Sequence, residues 1–396
     1  MSDPVAPLAG VRVLDLSRVL AGPYCSMILA DLGADVIKIE RPGSGDPTRA
    51  WGPPFRDGES AYYLCVNRGK RSVTIDLSDP AGVEVARRLA LGADIVLESF
   101  LPGGADRLGL GYGAVVAERP QVVYTSIAGY APESTDAHRP GFDFAIQAEA
   151  GGMSITGEAD GPPLKVGVAI ADITTGMFAS IGTLAALRDA ERTGQGRHVQ
   201  VSLFDSQLAW LANRGSDWLV GGEEPHRLGN AHPAIVPYEA FASSDGHVIV
   251  AIGTNEQFTR FCTAAGLPDM AGDPRYATNA QRVAHRLELA ARLAAAIALR
   301  PTAEWLEVLD TANVPGGPVR TIPEAFAHAP YAVVEHAHPT LGAVHTVRSP
   351  IGFDGTYPTA VAAPPLLGQH TAEVLDELGY DGGQREALLT GACRLL

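Results

Sequence analysis

Short β-type runs alternate with helical ones over the first 130 residues, and this rhythm restricts the possible folds more than any other feature. Val11–Ser17 is β-rich and alternating, Pro23–Leu32 has a helical apolar period, and Asp35–Glu40 is β-type again. Ser72–Leu77, a helix over Pro80–Leu91, Asp94–Phe100 and Gln121–Tyr130 continue it. A strand, a crossover helix and a second strand lie parallel when they share a sheet, so the pattern predicts an α/β chain with a mostly parallel sheet covered on both faces.

Beyond this region, the segment starting at Asp172 places Ile173, Met177, Ile181, Leu184 and Leu187 on one helical face, and Thr193–Gly196 ends the helix. A strand over His198–Leu203 and a helix through Gln207–Ala212 follow. At ~150 residues per domain, 396 residues suggest two to three domains. The texture changes after Gly221: a hairpin pairs Tyr238–Ala242 with His247–Ile252, and helices run near Glu256–Ala265, Ala280–Leu299 and Thr302–Thr311. We expect a large domain over 1–220, a smaller α/β domain over 221–320, and a return to the large domain over 321–396.

Composition removes several classes of function. Apolar residues make up 46% and charged residues 19%, enough for a sizeable core and too few charges for a disordered chain. Thirty Lys and Arg against 45 Asp and Glu leave a net charge of −15, which argues against a nucleic-acid partner. Cys25, Cys65, Cys262 and Cys393 form no CxxC pair, and the first ten residues lack the basic start and apolar run of a secretion signal. Apolar stretches such as Leu287–Leu299 are interrupted by Glu288 and Arg292. The expectation is a cytoplasmic protein without a membrane partner.

Common cofactor motifs fail on context. Gly109 to Ala114 matches GxGxxA but follows a helical stretch, where a dinucleotide fingerprint needs a strand running into a helix. No GxxxxGK[ST], GxSxG or HExxH occurs. His336 and His338 share one face of a strand and read as surface histidines, and no third ligand accompanies them, so no metal is expected.

Asp172 is the most informative residue. It is a carboxylate within the apolar, small-residue run VGVAIADITTGMF, at the start of a long helix. Asp is a preferred N-cap, and a carboxylate held ionised there by the helix dipole can also serve as a nucleophile. Ala171 and Gly176 leave room for a substrate beside it.

ADITTGMFASIGTLAALRDAERTGQGRHVQVSLFDSQ, RVLAGPYCSMILADLGADVIKIERPGSGDPTR, NRGKRSVTIDL, DIVLESFLPGGADRLGLGY, TGEADGPPLKVG and PPLLGQHT together resemble the family III CoA-transferases, the family of formyl-CoA transferase and carnitine CoA-transferase. The similarity runs from about Leu8 to about Gly379. It implies a large Rossmann-like domain built from both termini and a small central domain. Two such chains would interlock as a homodimer, with each active site between them. It also implies that Asp172 is the nucleophile, forming an acyl anhydride and then an aspartyl-CoA thioester, with an acyl-CoA donor and a carboxylic acid acceptor as partners. Such intermediates hydrolyse readily, so water must be excluded.

Carried over by position, the resemblance assigns coenzyme A to Arg18, Val19 and Ala21, its phosphates to Arg41 and Arg107, and its adenosine to Ile75, Ser99 and Phe100. Trp51 and Tyr62 match positions shaping the acyl pocket, and Arg49 or Arg139 is a candidate for the distal carboxylate of a dicarboxylic acid. WGPPF, ESAYYL, AHPAIVPYEAF and APPLLGQHT look most like the succinate–hydroxymethylglutarate branch. Leu20 replaces a glutamine of the formyl-CoA branch, and Gly229-Asn230-Ala231-His232 stands where that branch has a tetraglycine loop. Racemases of the α-methylacyl-CoA type are similar too, but they use a GHD histidine as an acid–base group; here Phe142 occupies that position, next to the cofactor, and moves no proton. The alternatives are an acyl-CoA racemase or epimerase and a non-catalytic CoA-binding protein.

Overall fold

The structure is a computed structural model that describes residues 5–360 and 362–395. Its main sheet has six strands: β1 (Arg12–Leu16), β2 (Asp35–Glu40), β3 (Lys70–Thr74), β4 (Ile95–Glu98), β5 (Val123–Ala128) and β6 (His198–Ser202). They lie in the order β3-β2-β1-β4-β5-β6, and every neighbouring pair is parallel. The chain winds outward from β1 in one direction and from β4 in the other. The switch point therefore falls between β1 and β4, where an open α/β sheet leaves a crevice at the carboxyl ends of its strands.

Helices cover both faces, as the alternating pattern requires. Helix α1 (Ala21–Asp31) and the long α4 (Ile170–Thr193) bury Cys25, Leu29, Ala171, Ala179 and Ala186 against Val13, Val36, Leu97 and Val123. The other face carries α2 (Pro80–Gly92) and the C-terminal helices Thr371–Glu377 and Gly382–Thr390, whose Val374, Leu375 and Leu388 join Val85 and Leu89 over Leu14, Ile37 and Val96. The C-terminal segment is also bonded to the edge strand β3: Thr74 donates its N–H to Thr371 Oγ1 at 3.0 Å and its hydroxyl to the Cys393 carbonyl at 3.0 Å. β3 ends at Thr74, so Ile75–Leu77, expected as strand, lie beyond the sheet.

The strands facing the core carry charges. Asp15 on β1, Lys38 and Glu40 on β2 and Lys70 at the start of β3 are all buried, and Asp46 is buried with them. Lys38 Nζ lies 3.0 Å from Asp46 and donates to the Ser17 carbonyl at 2.8 Å; both side chains of this pair are fully enclosed. Asp15 receives the hydroxyls of Ser17 and Ser26, and Lys70 Nζ bonds Asn67 Oδ1 and the Pro23 carbonyl, each at 2.9 Å. Burial pushes the Asp15 carboxyl up, but Lys38, Lys70 and the two hydroxyls outweigh it and leave it below its ordinary value. The network continues through Asp46 N–H to Glu40 at 2.9 Å and from Glu40 to Arg49, whose guanidinium grips both carboxylate oxygens at 2.8 Å.

Helix α4 turns a different side to the core from the one its sequence suggested. Ile181 is 61% and Met177 49% exposed, whereas the buried face is made of Ala171, Thr175, Gly176, Ala179, Ser180, Thr183, Ala186 and Ala190. Small residues let the helix axis approach its neighbours: a Cβ on Gly176 would sit 2.6 Å from the Ala21 carbonyl oxygen, and Thr183 shares a 2.7 Å hydroxyl contact with Thr125 of β5. Close approach on that side leaves the larger apolar residues outward, although Leu184 and Leu187 still pack on the core. By length and composition this helix is also apolar enough to cross a membrane, a property that core helices share.

Two compact units divide the chain: Met1–Gly152, Val166–Val220 and Pro330–Leu396 form one, and Met153–Lys165 with Gly221–Ala329 the other. The smaller unit holds the expected hairpin Tyr238–Ala242 and His247–Ala251, extended by Gly316–Pro318 into a three-stranded antiparallel sheet. Its composition includes two pieces placed elsewhere by sequence. Ile322–His328 is a helix within it, and Met153–Lys165 is tied to it by Arg227, which donates to the carbonyls of Glu158 and Gly161. The helix expected over Ala280–Leu299 breaks at His285 into Asn279–Ala284 and Arg286–Ile297. In the larger unit, His336 and His338 are not surface residues: both are buried on the inner side of the Val333–His338 and Gly342–Val347 hairpin, and His336 Nε2 contacts Thr346 Oγ1 at 2.8 Å.

Asp46→Asn leaves Lys38 enclosed without its direct counter-charge. A loss of about 3–5 kcal/mol in urea unfolding is the expected result, and a loss below about 1 kcal/mol would show the pair to be dispensable.

Candidate active site

The loop after β1 forms one wall of the crevice at the switch point, and the buried charges beneath it fix its shape. Val19 has φ 71, a left-handed conformation that is strained for a β-branched residue. Its N–H donates to the Asp46 carboxylate at 3.2 Å, and the neighbouring Arg18 N–H donates to Ser99 Oγ at 3.2 Å across the gap to the loop after β4. Lys38 holds both Asp46 and the Ser17 carbonyl, so the same ammonium supports the loop from both ends.

A cavity of about 350 Å³ opens there, and Arg18, Val19, Ala21, Ser99, Phe100, Arg139, Phe142 and Asp172 line it. A second, of about 260 Å³, shares Arg18 and Phe100 with it and adds Arg41 and Ile75. Nine of the thirteen residues singled out from sequence, besides Asp172 itself within the first cavity, therefore gather in one continuous crevice.

Asp172 is the third residue of α4, not its N-cap. The cap position is Ala169, which offers no side-chain acceptor, and the helix begins two residues before Asp172. The missing acceptor comes from Asp143, in the first turn of α3 (Asp143–Glu149), whose Oδ1 accepts the Ala171 N–H at 2.8 Å. Among the described residues no hydrogen bond or ion pair reaches the Asp172 carboxylate. Burial, and after it the Asp143 charge, push its pKa up from 3.8 to about 7. The sequence suggested that the helix start would hold this group ionised; desolvation without a bonded donor acts the other way.

The remaining candidates separate by environment. Trp51 and Tyr62 form an edge-to-face pair with centroids 5.2 Å apart. Burial, then the Asp172 charge, push the Tyr62 phenol up to about 12, which brings this pair into the electrostatic reach of Asp172. Arg139 lines the first cavity while pairing with Glu149 at 2.7 Å. Arg49 does not line either cavity: Glu40 holds its guanidinium at Nε and Nη2, the Pro365 carbonyl accepts from Nη2 at 3.1 Å, and the Tyr63 ring lies 3.7 Å from it. Its third nitrogen, Nη1, lies 3.7 Å from Glu59. Arg107 is exposed on the turn Gly104–Arg107 and lines neither cavity. No group of three or more His, Cys, Asp or Glu suited to a metal ion occurs among the described residues.

The sequence model described as CoA-transferase family III matches residues 8–371. The chain belongs to that family. This CoA-transferase is 42% identical over 392 residues to the succinyl-CoA:glutarate CoA-transferase of Mus musculus, spanning 98% of this chain and 90% of the relative. It is 44% identical to the succinate–glutarate CoA-transferase of Agrobacterium fabrum, spanning 96% and 97%. A crystal structure of a CaiB/BaiF family protein from Brucella suis superposes with a TM-score of 0.84 at 41% identity, covering 94% of this chain and 99% of that one.

Sequence reasoning on this CoA-transferase passed over Asp143 and Asp46. Gly141-Phe142-Asp143 drew attention to the side chain at its centre, and only contacts far apart in sequence reveal what the third residue does. For Asp46 a signal existed: charges inside parallel strands, Asp15, Lys38 and Glu40, require buried partners.

The folded Asp172 carboxyl keeps its proton up to about pH 7, whereas an unfolded one loses it near 3.8. The native state thus binds more protons over that interval, and stability falls as pH rises through it and stays reduced above it. Asp172→Asn should raise the Tm at pH 8 and leave it nearly unchanged near pH 3.5, as measured by scanning calorimetry. An equal change at both would mean that the carboxyl titrates normally.

Proposed function

We propose that this CoA-transferase moves CoA between carboxylic acids, dicarboxylates such as succinate among them, through covalent intermediates on Asp172. The observation that carries the proposal is the Asp172 carboxylate itself: desolvated, without a hydrogen-bonding partner among the described residues, and on the wall of a crevice whose cationic side chains are Arg18, Arg41 and Arg139. A carboxylate stripped of solvent and donors is a stronger nucleophile than one in water. The relatives named for succinyl-CoA:glutarate exchange supply the substrate class.

An Asp172 oxygen attacks the thioester carbonyl carbon of the donor. The C–S bond breaks and CoA leaves as thiolate. That thiolate attacks the Asp172 carboxyl carbon, the donor acid departs as its carboxylate, and an aspartyl-CoA thioester remains. The acceptor carboxylate displaces CoA thiolate from this thioester, giving a second anhydride. Attack of the thiolate on the acceptor's acyl carbon yields the new acyl-CoA and restores Asp172. Arg18 and Arg41 face the CoA phosphates, Ile75 and Phe100 its adenosine, and Val19, Ala21 and Phe142 its pantetheine arm. Ser99 orders the Arg18 loop beside it. Arg107 joins the phosphates from the rim. Trp51 and Tyr62 bound the acyl pocket, and Arg49 or Arg139 is the candidate for the distal carboxylate.

The proposed assembly is the interlocked homodimer, with Rossmann-like large domains. Met177, Phe178 and Ile181 of α4, with Leu208 and Trp210 of α5 (Leu203–Trp210) and the following Trp218, leave large apolar side chains exposed on the larger unit, and a second copy would cover them. Cytoplasmic residence is supported by the cysteines, all four of which are free. Phe142 weighs against racemisation, because it has no proton to deliver.

Incubation with succinyl-CoA should yield a protein adduct that hydroxylamine removes, seen by mass spectrometry, and Asp172→Ala should abolish both adduct and transfer. Turnover above about a tenth of wild type in that variant would reject the nucleophile. Sedimentation at nanomolar concentration should show no folded species at 41.4 kDa, the monomer mass. A stable folded monomer would exclude interlocking.

A further inference from the structure

We propose that Asp143 is a positioning residue for the reaction: its carboxylate fixes the first turn of α4 and sets a second negative charge beside Asp172, so that the free Asp172 carboxylate is disfavoured relative to its acylated forms. The proposal rests on Asp172 being the nucleophile.

Both oxygens of Asp143 are occupied, and each contact leads to the approach of α4. Oδ1 accepts the Ala171 N–H at 2.8 Å, and Oδ2 accepts Gln147 Nε2 at 2.7 Å, one turn along α3. Gln147 is itself 1% exposed and grips the segment entering α4: its Oε1 accepts the Val166 N–H at 2.9 Å and its Nε2 donates to the Val168 carbonyl at 3.4 Å. Asp143 and Gln147 thus clamp the backbone before Asp172 and the backbone of its helix start. The clamp itself is anchored: a Cβ added to Gly129, at the end of β5, would lie 2.5 Å from the Gly141 nitrogen, so the segment leading into Asp143 lies directly on the sheet. Because Phe142, on the cavity wall, is the residue immediately before Asp143, cavity and nucleophile are set by one short segment.

The charge has a separate effect. The groups facing Asp172 are Asp143 from α3, Tyr62 from the turn Ala61–Leu64, Arg18 from the loop after β1 and Arg139 from the loop before α3, with Tyr24 of α1 packed one turn along at Gly176. Arg139 is engaged by Glu149 and Asp136, Arg18 is exposed, and α4 carries no further charge before Arg188. Asp143 is the charge that adds to burial in raising the Asp172 pKa. When the Asp172 oxygen bonds to the acyl carbon and the electron pair of the C–S bond leaves on sulfur, Asp172 becomes a neutral anhydride. The repulsion between the two carboxylates disappears in that step, which favours the covalent states.

The test compares wild type with Asp143→Asn and Asp143→Ser, each of which keeps an oxygen able to cap Ala171 without the charge. Wild-type kcat/KM for succinyl-CoA should rise with pH through a midpoint of about 7. In either variant the midpoint should fall by roughly half to one pH unit, and less hydroxylamine-sensitive adduct should accumulate at pH 8. A clamp that is only structural would lower kcat and Tm without moving the midpoint, and an unmoved midpoint in an active variant overturns the proposal. The underlying reading fails differently: Asp172→Asn would then retain transfer, whatever the Asp143 variants do.

Discussion

The enclosed ion pair between Lys38 and Asp46 is the interaction on which the rest of this CoA-transferase depends. A Lys and an Asp so fully removed from water are costly unless each polar atom finds a partner. Here the ammonium bonds the Asp46 carboxylate and the Ser17 carbonyl, while Asp46 also takes the N–H groups of Val19 and Thr48. Such a pair adds little net stability compared with a well-packed apolar core. What it does impose is a single geometry, because any shift of the loop after β1 would leave a buried charge unsatisfied.

That geometry appears in the crevice. Val19 is held in a conformation that a β-branched residue avoids, and the strain persists because the carboxylate beneath it claims its N–H. The Arg18 N–H is directed in turn to Ser99, joining the loops that follow β1 and β4. These two loops flank the switch point of the sheet, and both cavities draw their walls from them. Glu40 extends the same network to Arg49 and ties that arginine to the scaffold.

Desolvation does similar work around Asp172. The small residues of α4 let it press against α1, and this close approach both buries the carboxylate's helix start and leaves Met177 and Ile181 facing outward. The outward apolar face has its origin in the choice of Ala, Gly, Ser and Thr along the inner side of the helix. A larger residue at Gly176 would push α4 away from the Ala21 carbonyl.

The local pattern of the chain determined the parallel sheet, since β-type and helical periods are properties of neighbouring residues and handedness leaves few ways to connect them. Blocks of sequence similarity likewise marked Asp172, Arg18, Phe100 and Phe142, which the fold brings into one crevice. Periodicity could not say which side of α4 is buried, because small residues score weakly as apolar and yet pack most closely. Nor could it separate Arg49, neutralised by Glu40, from Arg139 on the cavity wall: partners nine residues away for one and a cavity for the other are facts of three-dimensional contact. The Asp172 pKa belongs to the same class, for it is fixed by how much water the surrounding elements exclude and by a carboxylate 29 residues earlier in the chain, Asp143. Local residue order determined the elements and singled out Asp172; only tertiary packing decided which charges cancel and which remain beside it.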